Sequence, residues 1–212
     1  MTVKKESIII SAPNFQTAEF TIIGVAPLVI NKFSQKVKEE MHRKHEGGST
    51  SKKGQKREAK NFQENYEQAK HIANEGWCGL PASAFRAAMI SACRLVGFKM
   101  TLAKLAIFIE ADGFDRDENT PLIKITKGEP EYFEAATRNE TGVPDLRARP
   151  MWKPGWEAIV RIRYDADVFT LSDVTHLLMR VGMQVGLCEG RPDSKKSTGM
   201  GWGLFNIKGA DK

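Results

Sequence analysis

The stretch from residue 186 to residue 203 combines glycines with basic and hydroxyl side chains. A glycine lets the main chain approach a phosphate because no Cβ stands in the way, and exposed N–H groups can donate to the phosphate oxygens. The pattern therefore predicts contact with a sugar–phosphate chain, and the alternative is a long hairpin whose glycines serve turns. The residues nominated here are Arg191, Lys195, Lys196, Ser197, Gly199 and Trp202, the last as a ring that could stack a base or anchor the loop.

A second candidate is the start of a helix after the turn at residues 79–81. Ser83 is a plausible N-cap, and Arg86 would lie in the first turns of this helix. The N-terminus of a helix attracts anions through its dipole and its free N–H groups. An ordinary capped core helix is an equally good interpretation of the same residues.

The positive charge of the chain is concentrated in one segment. The net charge is +6, and residues 32–60 alone hold ten basic residues against four acidic ones. A local basic excess attracts polyanions such as nucleic acid, although a solubilising loop would have the same composition. The segment is predicted to be a flexible basic insertion, with Lys52, Lys53, Lys56 and Arg57 as candidate nucleic-acid contacts.

Residues that could support catalysis or metal binding are few. His42 and His45 stand three apart among acidic neighbours, which leaves a metal-independent ribonuclease with either histidine as general base as a minor alternative. The carboxylates of residues 111–119 do not follow a calcium-loop pattern and are interpreted as a solvated turn. No catalytic residue, no metal site and no cofactor is therefore predicted.

The helices and strands that position these residues are predicted from the periodicity of the apolar side chains and from capping residues. Residues 157–165 alternate, with Arg161 and Arg163 on the side opposite the apolar residues, and both arginines are candidate contacts. Thr170 and Asp173 predict a capping box for a helix over 171–184. A helix is also predicted over 58–74, and residues 137–156 are expected to form a structured loop. Further strands are expected at 19–30, 104–110, 121–126, 131–136 and 203–208.

Length and composition favour one domain over residues 1–212. The hydrophobic fraction is 41% and the charged fraction 27%, which is an ordinary globular balance. No apolar stretch reaches bilayer-spanning length and no signal peptide is visible, so a cytoplasmic location and no membrane contact are expected. The order of elements predicts an α+β, ferredoxin-like (RRM-like) antiparallel sheet with helices on one face and the basic segment inserted as a thumb.

Three segments also occur in the order typical of the RAMP superfamily, the backbone and crRNA-binding subunits of CRISPR effector complexes. They are Gly24-Val25-Ala26-Pro27-Leu28, the helix start at residues 80–88, and the glycine-rich residues 194–203. The chain therefore resembles the backbone subunit type, the seventh Cas protein family, or a stand-alone phage relative of it.

The resemblance implies copies of the chain stacked along a guide RNA or another single strand, as a filament. By position it nominates Ser83, Arg86, Lys195, Lys196, Ser197 and Gly199. Target-cleaving members carry an aspartate in the loop after the first strand, whereas residues 31–34 here hold no acid, which argues against a nuclease.

The sequence thus predicts a non-catalytic subunit that binds single-stranded nucleic acid, RNA ahead of DNA. Its expected partners are the strand, copies of itself and other effector-complex subunits. The alternative from a different class is a phage-encoded interaction or inhibitor protein that mimics such a subunit.

Overall fold

The structure is a computed structural model that describes residues 11–33, 38–39, 42, 45–46, 61–138, 144–194 and 199–209. Ten strands and four helices have both of their ends within these residues, and residues 38–39, 42 and 45–46 are also helical. The strands are Phe15–Gly24 (β1), Leu28–Val29 (β2), Gly79–Pro81 (β3), Ile107–Glu110 (β4), Gly113–Phe114 (β5), Pro121–Lys127 (β6), Glu131–Arg138 (β7), Pro144–Trp152 (β8), Glu157–Asp165 (β9) and Phe205–Ile207 (β10). The helices are Phe62–Gln68 (α1), Ala82–Ala92 (α2), Met100–Ala106 (α3) and Leu171–Arg180 (α4). A 3₁₀ turn, Cys93–Val96, follows α2, and a π-helical turn, Val181–Val185, follows α4.

The larger of two antiparallel sheets has β9 near its centre. β1 pairs with one side of β9, and β10 pairs in turn with the far side of β1. On its other side β9 pairs with β4 over its second half and with β6 near its start, and β6 continues to β3 and β5. A smaller sheet has the order β2–β8–β7. The α+β class with antiparallel sheets is therefore confirmed.

The alternation predicted for β9 decides which face of the larger sheet is buried. Ala158, Val160 and Ile162 are fully buried, together with the ring of Tyr164. They belong to the same apolar core as side chains of α2 and α4, so this side is called the inner face. Side chains alternate across a strand, and Arg161 and Arg163 consequently lie on the opposite side, called the outer face.

The predicted capping box at the start of α4 is confirmed. The Thr170 hydroxyl accepts a hydrogen bond from the Asp173 backbone N–H at 3.2 Å, and the Asp173 carboxylate accepts one from the Thr170 N–H at 2.9 Å. Two of the backbone N–H groups at the start of the helix are thereby satisfied. The cap fixes the helix that buries Val174, Leu177 and Leu178 against the inner face.

Two predicted segments differ from the structure. Residues 104–110 were expected as one strand, but α3 runs to Ala106 before β4 begins, because Ala103 and Ala106 face the core at a spacing of three. Residues 137–156 were expected as a loop, but nine of them, Pro144–Trp152, form β8, which pairs with β7 and buries Ala148 and Trp152. Pro144 begins β8, Pro150 stands opposite Tyr132, and Pro154 and Gly155 lie in the turn that follows the strand.

A helix predicted over residues 58–74 is shorter in the structure, where α1 covers Phe62–Gln68. The chain after it turns into short β-bridges, Ile72 with Cys78 and Ala73 with Asp115. These bridges require extended backbone, which ends the helix early. Residues 58–60 lie outside the described residues.

Replacing the capping hydroxyl tests the role of α4. Thr170→Ala is expected to lower the free energy of unfolding by about 1 kcal/mol, because the Asp173 N–H loses its acceptor. Ser172→Ala, two residues further along the exposed side of the same helix, is the matched control and should change stability by less than about 0.5 kcal/mol. Urea unfolding measures both, and equal midpoints for the two variants would contradict the account.

Candidate nucleic-acid interface

The outer face of the larger sheet places three strands side by side with nothing in the described part of the chain packed over them. Thr17 of β1 and Phe108 of β4 both stand opposite Arg163 of β9. Glu19 of β1 and Glu110 of β4 both stand opposite Arg161. The register therefore creates two neighbouring rows of side chains across the face, one around each arginine.

The row around Arg163 is an exposed cluster of two aromatic rings and a guanidinium. The Arg163 guanidinium carbon lies 5.2 Å from the ring centroid of Phe15 and 5.2 Å from that of Phe108. The two rings meet edge to face, with their centroids 5.7 Å apart. Stacking on rings holds the guanidinium in place without consuming its N–H donors.

The row around Arg161 is neutralised. Arg161 donates to the Asp112 carboxylate and lies 3.6 Å from the Glu19 carboxylate. Two acids against one base leave no positive charge to offer. The sequence nominated both arginines as equivalent contacts, and the structure separates them by their neighbours.

Arg86, nominated from the helix start, lies at the edge of the same cluster. Its Nε donates to the carbonyl oxygen of Ile107 at 3.0 Å, and its Nη2 donates to that of Lys104. Its guanidinium carbon also lies 5.2 Å from the Phe108 ring centroid. Arg86 thus ties α2 to the start of β4 and brings a second positive charge to the aromatic rings.

Ser83 does not have the predicted capping role. The helix begins at Ala82, its N-cap is Pro81, and no side chain caps it. Pro81 occupies the N-cap position instead, and its side chain has no atom that could accept a hydrogen bond from the first turn. Ser83 is exposed on the first turn of α2, and its contact with nucleic acid stays a prediction.

Many backbone N–H groups of the glycine-rich loop are already hydrogen-bonded within the protein. Within its described residues, main-chain donors bond to main-chain carbonyls rather than pointing freely outward. A nest of donors for a phosphate needs such groups to be unbonded, which weakens the predicted phosphate contact. The bonded donors belong to Gly186, Leu187, Glu189, Asp193, Ser194, Met200, Trp202 and Gly203.

Close packing explains two glycines of this loop. A Cβ on Gly203 would lie 2.1 Å from the Leu187 carbonyl oxygen, and one on Gly190 would lie 2.3 Å from the Trp202 ring. Both residues also have φ near +71°, where side chains are strained. The alternative interpretation, a hairpin whose glycines serve its geometry, accounts for both positions.

Three of the remaining loop candidates make contacts that hold the loop together. Trp202 is half-buried and meets the Phe133 ring edge to face at 5.6 Å, so it anchors the loop. Arg191 donates to the Cys188 carbonyl at 2.9 Å. Gly199 packs against the main chain at Arg191. The other nominated residues lie outside the described residues: Lys52, Lys53, Lys56, Arg57, Lys195, Lys196 and Ser197.

Sequence reasoning missed a buried ionic cluster formed by Lys32, His71 and Asp115. Their exposed fractions are 5%, 6% and 1%. The Lys32 Nζ donates to Asp115 Oδ1 at 2.7 Å and to Asp117 Oδ2 at 2.7 Å, and His71 Nδ1 lies 3.0 Å from Asp115 Oδ2. The solvated turn predicted for residues 111–119 is therefore wrong at Asp115. No sequence signal joins Lys32 to a carboxylate 83 positions away.

The ionisation of this cluster follows from burial and pairing. Burial opposes the charge of Lys32, but its hydrogen bonds to Asp115 and Asp117 outweigh this and raise the lysine pKa. Burial likewise opposes the charge of Asp115, but the bonds from Lys32, the Asp117 N–H and His71 hold the carboxyl pKa below its ordinary value. Burial lowers the pKa of His71, and the bond to Asp115 only partly offsets the effect.

No family model matches the chain, and no curated protein is similar to it at a significant level. The described residues hold no group of three or more histidine, cysteine, aspartate or glutamate side chains arranged to bind a metal. In the same part of the chain, every helix is too short or too polar to span a bilayer.

Removing the lysine of the buried cluster should destabilise the fold. Lys32→Met leaves the Asp115 carboxylate buried beside a neutral histidine, at an expected cost of about 3–5 kcal/mol. Lys153→Met is the matched control, because its ammonium is exposed and pairs with Glu131 at 2.8 Å on the surface. Chemical unfolding of both variants measures the difference, and a cost for Lys32→Met no larger than that of the control would refute the role of the cluster.

Acid should weaken the fold through His71. Its folded pKa lies below the ordinary value of 6.5, so the unfolded chain takes up a proton that the folded chain refuses. This contribution to stability is present above pH 6.5 and is lost as pH falls towards the folded pKa. His71→Gln should make the fall between pH 7 and pH 5 shallower.

Urea unfolding at several pH values between 5 and 7 measures how steeply the free energy of unfolding falls in the wild type and in His71→Gln. His176→Gln, at an exposed position of α4, is the control for loss of a histidine. If the free energy of unfolding falls equally steeply in the two proteins, the His71 imidazole does not contribute to the loss of stability in acid. Asp115 acts in a different pH range from His71. Because its folded pKa lies below 3.8, its contribution to stability is lost only as pH falls below 3.8.

Proposed function

We propose that this chain binds single-stranded nucleic acid along the outer face of its larger sheet and does not cut it, with RNA preferred over DNA. The observation that carries the proposal is the row around Arg163. It offers an accessible guanidinium stacked on two aromatic rings, on a face that no described element covers. Aromatic rings and cationic side chains on an open sheet are what unstacked bases and phosphates bind.

The connectivity of the sheet supports a ferredoxin-like core. β1, α2 and β4 form one strand–helix–strand half, and β9, α4 and β10 form the other. The four strands lie in the order β10–β1–β9–β4, with both helices on the inner face. This is the arrangement in which two such halves interlock. Residues 32–60 fall in the connection between β1 and α2, where a thumb-like insertion would sit.

The resemblance to RAMP backbone subunits adds an assembly to the proposal. Copies of the chain would stack along the bound strand, with other effector-complex subunits as further partners. Absence of cleavage is supported by Lys32, which stands in the loop after the first strands where target-cleaving members place an acid. Its ammonium is already occupied by Asp115 and Asp117.

An interaction protein is the second candidate, and one observation favours it. The 3₁₀ turn and α3 expose four apolar side chains, with exposed fractions between 41% and 71%. Exposed apolar residues grouped on neighbouring elements are typical of protein-binding surfaces. The residues are Leu95, Val96, Leu102 and Leu105. This candidate predicts that substitutions there abolish function while changes at Arg163 leave it intact.

Salt-dependent binding separates the two candidates. Labelled 20-nucleotide oligo(U), oligo(dT) and an RNA duplex are titrated with protein between 50 and 300 mM salt, roughly the range over which phosphate contacts weaken. We expect binding to single strands ahead of the duplex, a linear fall of log affinity with log salt, and intact RNA after incubation. Arg163→Gln should weaken binding severalfold and make the salt dependence shallower, by about 0.7 for one lost phosphate contact.

Arg180→Gln provides the matched control, because it removes one arginine from α4 on the opposite side of the sheet. No binding to any single strand at 50 mM salt would overturn the proposal. Equal effects of the two arginine substitutions would show that binding is not located on the outer face.

A further inference from the structure

We infer that Phe15, Phe108 and Arg163 form a stacking site for an unpaired nucleobase, with the adjoining phosphate directed towards Arg86 and Arg163. These four residues are called the aromatic–arginine cluster. The inference rests on the proposed function and adds to it the group that is recognised, a base rather than the backbone alone.

Both rings of the aromatic–arginine cluster reach solvent. Phe15, the first residue of β1, has 38% of its surface exposed, and Phe108 is half-buried in β4. Their neighbours on the outer face are polar or charged, namely Thr17, Arg161 and Asp165. The rings thus form an isolated apolar surface on a polar face. A flat apolar ligand would remove that surface from water.

Arg163 differs from its neighbour Arg161 in having no ion-pair partner among the described residues. Within the described residues no carboxylate lies within ion-pair distance of its guanidinium, whose contacts are the two rings. Asp165 and Glu110 lie on the same face, and each accepts a hydrogen bond from another group. Asp165 accepts from the Asp167 N–H at 3.0 Å, and Glu110 accepts from the Thr17 hydroxyl at 3.1 Å. Arg161, on the same strand and the same face, is by contrast paired with two acids.

Two further basic residues, Arg86 and Lys104, form a rim beside the rings. Arg86 donates from Nε and Nη2 to two carbonyls, which fixes its guanidinium 5.2 Å from the Phe108 ring centroid. Lys104 is exposed on the last turn of α3, next to the carbonyl that Arg86 holds. The rim is therefore positively charged on the side of β4 that pairs with no strand in the described part of the chain. An anion attached to the stacked group would lie there with favourable charge.

These features together select one chemical class of ligand. A nucleotide of a single strand combines a planar ring system with a phosphate, whereas the bases of a duplex are already stacked and hidden. An acidic peptide would satisfy the arginines but would leave the rings without a planar partner. The site therefore accepts one unpaired base, in a manner that tolerates any base because every base has a π-face.

The test compares a strand that has bases with one that lacks them. The probes are labelled 12-nucleotide oligo(dT) and an abasic deoxyribose–phosphate 12-mer of the same charge. Phe15→Leu and Phe108→Leu should each lower the affinity for oligo(dT) by about 5- to 100-fold and leave the affinity for the abasic strand unchanged. Their salt dependence should equal that of the wild type, since no charge is lost.

Phe114→Leu is the matched control, because that ring is 45% exposed on β5, away from the cluster, and should change the affinity less than twofold. Phe15→Trp retains a stacking surface and should keep or raise the affinity for oligo(dT). This variant separates loss of stacking from damage to the fold, and unchanged thermal unfolding of each leucine variant provides a further check.

The outcomes distinguish the two proposals. Wild-type protein that binds oligo(dT) and the abasic strand equally, with no effect of Phe15→Leu, would overturn the stacking site while the binding function stands. A wild type that binds neither strand at 50 mM salt would overturn both. Preferential binding of an acidic peptide, competing with oligo(dT) and sensitive to Arg163→Gln but not to Phe15→Leu, would also refute the stacking site.

Discussion

The antiparallel ladder between β1 and β9, running from the pair Phe15–Asp165 to the pair Ile23–Glu157, sets the character of both faces of the larger sheet. Side chains along each strand alternate between the faces, so a shift of one residue would exchange the buried and exposed sets. Burial of Ile22, Val160 and Ile162 makes such a shift costly. The same ladder then brings Phe15, Thr17 and Arg163 together on the outer face without any further contact being needed.

The buried ionic cluster is a second constraint, and it acts on the connections rather than on the sheet. Lys32 follows β2, His71 follows α1, and Asp115 follows β5, so one set of hydrogen bonds joins three separate loops. A buried charge without its partner is costly, and the three loops must therefore assemble together. The basic segment 32–60 begins at this cluster, which fixes its starting point next to the core.

Much of the fold could be predicted because the signals were local. The alternation in residues 157–165 and the spacing of Thr170 and Asp173 each lie within ten residues, and the structure confirms both. The error at residues 104–110 arose because short apolar runs suit either a helix or a strand. The cluster at Asp115 could not be predicted, since its partners come from distant segments of the chain.

The candidate site shows the same limit. The sequence nominated Arg161 and Arg163 alike, because both alternate with apolar residues on one strand. Their difference depends on Asp112 and Glu19 on one side and on two phenyl rings on the other, and these come from three other parts of the chain. Arg86 was nominated from a helix start, yet its place beside Phe108 follows from the position of β4. The aromatic rings were not nominated, because single phenylalanines carry no signal of exposure.

Photo-crosslinking with oligonucleotides that contain 4-thiouridine, followed by mass spectrometry of the linked peptides, tests most directly whether the outer face is the binding surface. If the strand binds the outer face, the linked peptides come from β1, β4 and β9 and contain Phe15, Phe108 and Arg163. Links confined to α4 and the π-helical turn, on the other side of the sheet, would contradict it.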